Sequence, residues 1–249
     1  TNPPIIVSDF EDEDMSGWRQ SNGGENTIMT DSDPAIGKYM NQKGGGGGSR
    51  AVEYRFSTPI TDNFVFEADV KAASTDQYSA DISLLGSNTT VNSTGTNNVP
   101  VDGLIFKADV NKNESRFLLN NEQSAKGSTL DSITGRKILS YEFPEGSWVH
   151  IRAICNFDDQ TTRVQLTSLD GSTVYFDGKV DMYSGSEQTI DDLQRIYIVA
   201  PRPNQDFGID NIVIRKANSS ETAEAANFHK VTIAANGEPY TYYTENGKP

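Results

Sequence analysis

The sequence predicts an all-β protein in which two antiparallel sheets pack face to face as a sandwich. Apolar and polar residues alternate with period two in many short segments, and turn-rich stretches separate these segments. No window of a dozen residues shows a sustained apolar period of 3.6, and a short helix is conceivable only around 187–193. The 249 residues, 35% of them hydrophobic, suffice for one substantial core.

The clearest strand lies at 63–71, where Phe64, Phe66, Ala68 and Val70 alternate with polar neighbours. Such a strand buries one face and exposes the other. Similar alternation predicts further strands at 5–10, 51–57, 78–86, 104–110, 116–120, 149–155, 163–169, 173–176, 195–200 and 207–215. About a dozen half-buried strands are most simply arranged as two packed sheets, each polar on its outer side.

Composition divides the chain into three parts. Residues 1–216 form the predicted β-sandwich domain. Residues 217–226 are small, polar and acidic, which is typical of a linker. Residues 227–249 alternate again but are too few for a core of their own, so they are either the start of a following module or a strand added to the sandwich. The five glycines 44–48 predict a flexible loop or a tight connection.

Charge and residue usage narrow the partners. The chain has 35 acidic and 21 basic residues, a net charge of −14, and no basic run. Nucleic acid and anionic membranes are therefore poor partners, because binding either begins with Lys and Arg. No apolar stretch approaches 18 residues. An acidic, lysine-poor chain rich in Asn, Thr, Ser and Gly is typical of secreted or cell-surface bacterial proteins, so we expect an extracellular location.

The sequence offers little for catalysis. Cys155 is the only cysteine and lies in a predicted strand, where a buried structural role is expected. His150 and His229 are the only histidines, and His150 alternates against the core residues of its strand. Neither spaced cysteines nor an H-E-x-x-H motif predicts zinc. Glu67 and Asp69 match the first half of the Glu-x-Asp-x-x-Glu strand of sandwich glucanases, but position 72 is alanine.

Two short patterns carry a family resemblance. The opening residues Ser8, Asp9, Phe10 and Glu11 are soon followed by Gly17 and Trp18, and 207–211 reads Phe-Gly-Ile-Asp-Asn before an apolar strand. Together they resemble the jelly-roll carbohydrate-binding modules of bacterial polysaccharide-degrading enzymes. The run Gly-Ser-Trp-Val-His-Ile at 146–151 resembles a strand start in concanavalin A-like and laminin G-like sandwiches.

The resemblance implies a structural calcium between the first and last strands, held by Asp9, Glu11 and Asp210 with backbone carbonyls. Carboxylate oxygens are suitable calcium ligands. The alternative is that the acidic run 11–14 is only a solvated turn.

The function implied is a non-catalytic module that holds a parent enzyme or scaffold, as one of several modules of the polypeptide, on plant cell-wall polysaccharide. The alternatives are a catalytic glycoside hydrolase or polysaccharide lyase, a laminin G-like interaction or adhesin domain, and a spacer.

Sugar recognition needs planar polar groups and aromatic faces. Trp18 and Trp148 are expected to pack in the core, and at −14 the domain favours neutral glycans over polyuronates. The candidate sugar-binding residues, which could equally be ordinary surface, are His150, Arg152, Arg163 and Gln165 on predicted strands, and Tyr78, Tyr183, Arg202 and Asn204 in predicted loops.

Overall fold

The fold is given by a computed structural model. The residues that it describes are 1–21, 25–43, 50–72, 80–89, 91–92, 99–100, 103–111, 116–119, 140–142, 146–182, 188–200, 206–235 and 238–246. Within these residues no helix is long and apolar enough to cross a membrane. The predicted glycine loop 44–48 lies outside them.

Short strands dominate the described chain. They are β1 (Pro4–Ser8), β2 (Trp18–Ser21), β3 (Glu25–Thr30), β4 (Lys38–Lys43), β5 (Arg50–Ile60), β6 (Phe64–Ala72), β7 (Ala80–Leu85), β8 (Val91–Asn92), β9 (Val99–Pro100), β10 (Leu104–Asn111), β11 (Arg116–Leu119), β12 (Ser140–Glu142), β13 (Val149–Asn156), β14 (Thr161–Thr167), β15 (Val174–Asp181), β16 (Leu193–Ala200), β17 (Asp206–Lys216), β18 (His229–Ala235) and β19 (Glu238–Thr244). Helix α1 (Ser219–Ala226) lies between β17 and β18.

The strands form two large antiparallel sheets, which confirms the predicted sandwich. Sheet A has the order β15-β14-β13-β6-β17-β4-β3, with β1 also paired to β17. Sheet B has the order β12-β11-β10-β7-β16-β5-β2. Strands that are distant in sequence, such as β6 and β17, lie side by side, as in a jelly roll.

The core lies between the sheets and is built by the alternation seen in the sequence. Phe66, Phe106 and Phe207 are fully buried there, and Cys155 and Trp18 belong to the same cluster. The outward positions are mixed, because polar residues such as Glu67 and Arg152 alternate there with two smaller buried apolar clusters, one around Val65 and Ile154 and one around Leu85 and Tyr197. Each fully buried phenylalanine side chain contributes about 1.5–3 kcal/mol of transfer free energy.

Residues 217–226 differ from the prediction of a linker. Most of them form helix α1, which begins with a capping box: the Asn218 side chain accepts from the Glu221 backbone N–H, and the Glu221 side chain accepts from the Asn218 N–H. Residues 188–192, part of the conceivable helix, are not helical. The division of the chain into modules stays a prediction.

Strand β17 changes its neighbour halfway along its length. Residues 206–209 pair with β4, whereas residues 212–215 pair with β1, and the register shifts between Asp210 and Val213. Asn211 adopts a left-handed conformation with φ of 49° at this point. The change of partner places Asp210 and Asn211 between the opening loop and the loop at 31–37.

Candidate functional site

Asp210 is a buried carboxylate without a hydrogen-bond partner among the residues that the structure describes. Its exposed fraction is 0%, and neither carboxylate oxygen accepts a hydrogen bond from any of those residues. Burial raises its pKa to about 8, and the negative charges of Asp69, Glu11 and Asp9 act in the same direction against the lowering effect of the Asn211 N–H. An unpaired buried acid of this kind either holds a proton or needs a cation.

The other two predicted calcium ligands lie in the opening loop. The Oδ1 atom of Asp9 accepts from the Glu11 backbone N–H at 3.2 Å, and Oε1 of Glu11 accepts from the Lys38 N–H at 2.8 Å. Gly37, with φ of 61°, lies against Glu11, and an added Cβ would come within 2.6 Å of Oε1. The close packing fixes the Glu11 carboxylate against the loop at 31–37.

Asp9, Glu11 and Asp210 are thus neighbours, yet they do not form a preassembled metal shell. In the described part of the chain, no three His, Cys, Asp or Glu side chains are grouped so that they could hold a metal ion. What favours a cation here is the carboxylate of Asp210, which has no described partner, and the acidic charge around it. Backbone carbonyls would have to supply much of the six to eight oxygens that the ion needs.

His150 lies between two carboxylates on the outer face of sheet A. Its Nδ1 is 2.6 Å from Oδ1 of Asp69, and its Nε2 is 2.9 Å from Oε1 of Glu67. Burial lowers its pKa, but the hydrogen bonds and charges of the two acids outweigh that effect and raise the pKa to about 9. Asn211 Nδ2 donates to the other Asp69 oxygen at 2.8 Å. The group therefore joins β13, β6 and β17.

Three further predicted sugar-binding residues are brought together on this face, where they contact the chain itself. Arg152 donates to Gln165 at 2.8 Å and to Glu221 of α1 at 2.7 Å. Arg163 donates twice to Asp177, at 3.1 and 3.0 Å, and once to Glu224 of α1 at 3.1 Å. These contacts give the side chains a structural role in holding the helix. Tyr78, Tyr183, Arg202 and Asn204 lie outside the described residues.

A cleft of about 630 Å³ opens at the end of the sandwich where β6 ends and β13 begins. Its walls come from three loops, at 31–35, 146–148 and 168–170. Asp31, Asp33 and Asp170 contribute carboxylates, Lys71 contributes one ammonium group, and Trp148 lies at the base. Clefts of 300–1,000 Å³ are typical of small-ligand sites.

Trp148 and Asp31 fix the base of the cleft. The indole is 7% exposed and donates through Nε1 to Oδ2 of Asp31 at 3.0 Å. Tyr39 packs edge-on against the indole with ring centroids 5.0 Å apart. The Lys71 Nζ atom is 3.6 Å from the same Asp31 oxygen. Trp148 is thus buried, as predicted, but it packs in a small cluster with Ile36 and Tyr39 beside the cleft and not in the main core.

The cleft and the Asp210 group share one loop. Asn211 Nδ2 donates to the Ala35 carbonyl at 3.2 Å, while Glu11 accepts from the Lys38 N–H at the other end of that loop. Sequence reasoning missed Asp31, Asp33, Lys71 and Asp170 as site residues. Aspartates before proline or glycine are typical of turns, so nothing in the pattern marked them as one site.

No protein-family model and no curated protein sequence matches the chain. Among solved structures, a sialidase matches with a TM-score of 0.56 and 12% identity, covering 92% of this chain but 19% of the sialidase. The Emp47p carbohydrate recognition domain matches with a TM-score of 0.55 and 14% identity, and the match covers 85% of this chain and 95% of that domain. An endo-β-1,4-glucuronan lyase from the fungus Trichoderma reesei matches with a TM-score of 0.50 and 10% identity, and the match covers 86% of this chain and 96% of the lyase. At these identities the likeness establishes the two-sheet β-sandwich fold and nothing further.

Proposed function

We propose that this chain is a non-catalytic carbohydrate-binding module, secreted or displayed at a bacterial cell surface, that holds a parent polysaccharide-degrading enzyme or scaffold on its substrate. The observation that carries the proposal is the open cleft between the loops at 31–35, 146–148 and 168–170, at the end of a sandwich fold shared with a carbohydrate recognition domain. Tethering would raise the local concentration of the polysaccharide around the parent.

The positions of the reactive side chains support binding over chemistry. Both ring nitrogens of His150 face carboxylates, so neither is free to take a proton from a substrate. Glu67 and Asp69, the two acids that resemble half of a glucanase motif, are the partners of that ring. Cys155 is fully buried, and burial raises the pKa of its thiol, which disfavours the nucleophilic thiolate.

Calcium belongs to the same proposal. Asp210 would bind it directly, with Asp9 and Glu11 contributing from the opening loop. The ion would neutralise the crowded negative charge around the unpartnered carboxylate. Only the folded chain brings these residues together, so calcium binding would stabilise the folded state by mass action.

The decisive experiment measures retention of the full chain on a panel of plant and microbial polysaccharides, with calcium and with EDTA. Neutral galactan, arabinan and xylan are expected to retain it. Released reducing ends or unsaturated products are assayed in the same samples. Retention without product supports the module, whereas product release would identify an enzyme and absence of retention on every glycan would reject carbohydrate binding.

Thermal unfolding tests calcium separately. The unfolding temperature of the wild type is expected to rise with calcium, and that rise should be absent in Asp210→Asn. Asp62→Asn, a change at an exposed aspartate before β6, is the matched control and should keep the rise. An unfolding temperature that is unchanged by calcium in the wild type would remove the ion from the proposal and leave the glycan test unaffected.

A further inference from the structure

We propose that the cleft binds sugar units that carry no anionic group, and that a free ammonium group on the sugar strengthens binding. The inference rests on the proposed carbohydrate binding and adds the location of the site and the class of sugar. Its basis is the charge and hydrogen-bond state of the three carboxylates in the cleft, Asp31, Asp33 and Asp170.

Negative charge dominates the cleft. Among the described residues that line it, three carboxylates face one ammonium group, and the Lys71 Nζ lies only 3.6 Å from Asp31, so its charge is largely matched by that residue. Asp33 and Asp170 have no cationic partner among the described lining residues. Hydrogen bonds from the backbone and side chain of Ser172 lower the pKa of Asp170 to about 2, so this acid is ionised at neutral pH. A sugar carboxylate or sulfate entering here would meet repulsion.

The same two acids have hydrogen-bonding capacity to spare. Asp33 uses Oδ1 to accept from the Ala35 N–H at 2.9 Å, and Asp170 uses Oδ1 to accept from Ser172 and Ser168. The Oδ2 atoms of both residues accept no hydrogen bond from any residue that the structure describes. Ionised carboxylates only accept hydrogen bonds, so their ligand has to present O–H or N–H donors. Sugar hydroxyl groups and ammonium groups meet this requirement, whereas carboxylates and sulfates do not.

The acceptors are also held in place before a ligand arrives. Asp31 accepts from the Asp33 N–H at 2.9 Å and from the Trp148 indole at 3.0 Å. Backbone hydrogen bonds from Asp31 N–H to Gly37 at 2.7 Å, and from Gly37 N–H to Asp33 at 2.9 Å, close the loop. A preorganised loop loses little entropy on binding, which favours a small polar ligand.

The test is an NMR titration of the full chain that follows the indole N–H signals. The chain has two tryptophans, so Trp148 reports on the cleft and Trp18, in the core, is an internal control. The probes are glucose, glucosamine and glucuronate, and the corresponding galactose, galactosamine and galacturonate. The Trp148 signal gives the affinity for each probe. At low salt, and in at least one of the two series, the amino sugar is expected to bind about tenfold more tightly than the neutral sugar. The uronates should leave the signal unchanged.

Paired variants separate the cleft from the overall charge of the protein. Asp33→Asn with Asp170→Asn should abolish the advantage of the amino sugars. Asp62→Asn with Asp191→Asn, at exposed aspartates that are not among the residues lining the cleft, changes the net charge equally and should preserve the advantage. An unchanged Trp18 signal shows that each variant is folded.

Two results would overturn the inference: uronates that shift Trp148 at least as strongly as the neutral sugars, or no shift with any of the six probes. If polysaccharides still retain the chain in either case, only the location and class of sugar are wrong. If no polysaccharide retains it, the proposed function fails as well.

Discussion

Replacing Glu221 by glutamine tests whether buried charge holds helix α1 on sheet A. The Glu221 carboxylate accepts from Arg215 at 2.7 and 2.6 Å and from Arg152 at 2.7 Å, and the residue is 6% exposed. Glutamine keeps one acceptor oxygen and turns an NH₂ group towards the guanidinium groups. Removing one partner of a buried ion pair typically costs about 3–5 kcal/mol. Water can reach the arginines once the helix lifts from the sheet. We therefore expect the substitution to destabilise the docked helix by about 3 kcal/mol, the lower end of that range.

Hydrogen exchange of the α1 amides at neutral pH measures this opening free energy directly. Glu224→Gln is the matched control, because that side chain is 61% exposed and makes one contact with Arg163. It should cost less than about 1 kcal/mol. The Arg215 hydrogen bonds lower the Glu221 pKa from 4.5 to about 2, so wild-type protection should persist above about pH 4.5 and fall as the pH approaches 2. Equal protection in Glu221→Gln and the wild type would refute the reasoning.

Two further substitutions and one labelling experiment test other parts of the structure. In EDTA at neutral pH, Asp210→Asn should raise the free energy of unfolding by roughly 1 kcal/mol in a denaturant titration, because burial raises the pKa of Asp210 to about 8 and folding therefore has to protonate this acid, a cost that asparagine avoids; a decrease would contradict this. Gly178→Ala should lower the free energy of unfolding by about 1–3 kcal/mol, because the new methyl group would clash with the Phe176 ring. Cys155 should resist a thiol reagent in the folded protein and react only at the rate of unfolding, since it is fully buried; rapid labelling would argue against its place in the core.

The fold was largely predictable because the residues that face the core alternate along their strands. Strand β13, for example, places Val149, Ile151, Ala153 and Cys155 in the core as its alternation predicts, although Ile154 is buried as well, on the outer side. Strand β4 was not predicted, because its buried positions include Asn41 and Gln42. Asn41 is accommodated by its hydrogen bond to Asp206 at 3.0 Å, a partner 165 residues away. Pairings at such a distance have no local signal in a sequence.

Helix α1 was missed for a related reason. Its residues show no apolar stripe, and its position on sheet A depends on Arg152, Arg163 and Arg215 from three different strands. A local signal was present all the same, because Asn218 followed three residues later by Glu221 is a capping-box pattern. The same docking brings Arg152 and Arg163, two of the predicted sugar-binding residues, into contact with glutamates of the helix.

The His150 group offers a test of the outer face of sheet A that is independent of the helix. Both neighbours of the ring are carboxylates, which accept hydrogen bonds, so both ring nitrogens must carry protons for both bonds to form. The folded pKa of about 9 lies above the ordinary value of 6.5. The stabilisation is therefore complete below about pH 6.5 and is lost as the pH rises through 9.

Replacing His150 by glutamine should lower the free energy of unfolding by about 2–3 kcal/mol at pH 6, since the shift in pKa corresponds to about 3 kcal/mol before allowing for the partial exposure of the ring. The difference between wild type and variant should shrink steadily from pH 6.5 to pH 9.5 in denaturant titrations. NMR titration of the His150 ring, assigned by its absence in the variant, gives the pKa independently. A midpoint near 6.5, or a stability difference that stays constant up to pH 9.5, would show that the two acids do not hold the ring in its charged form.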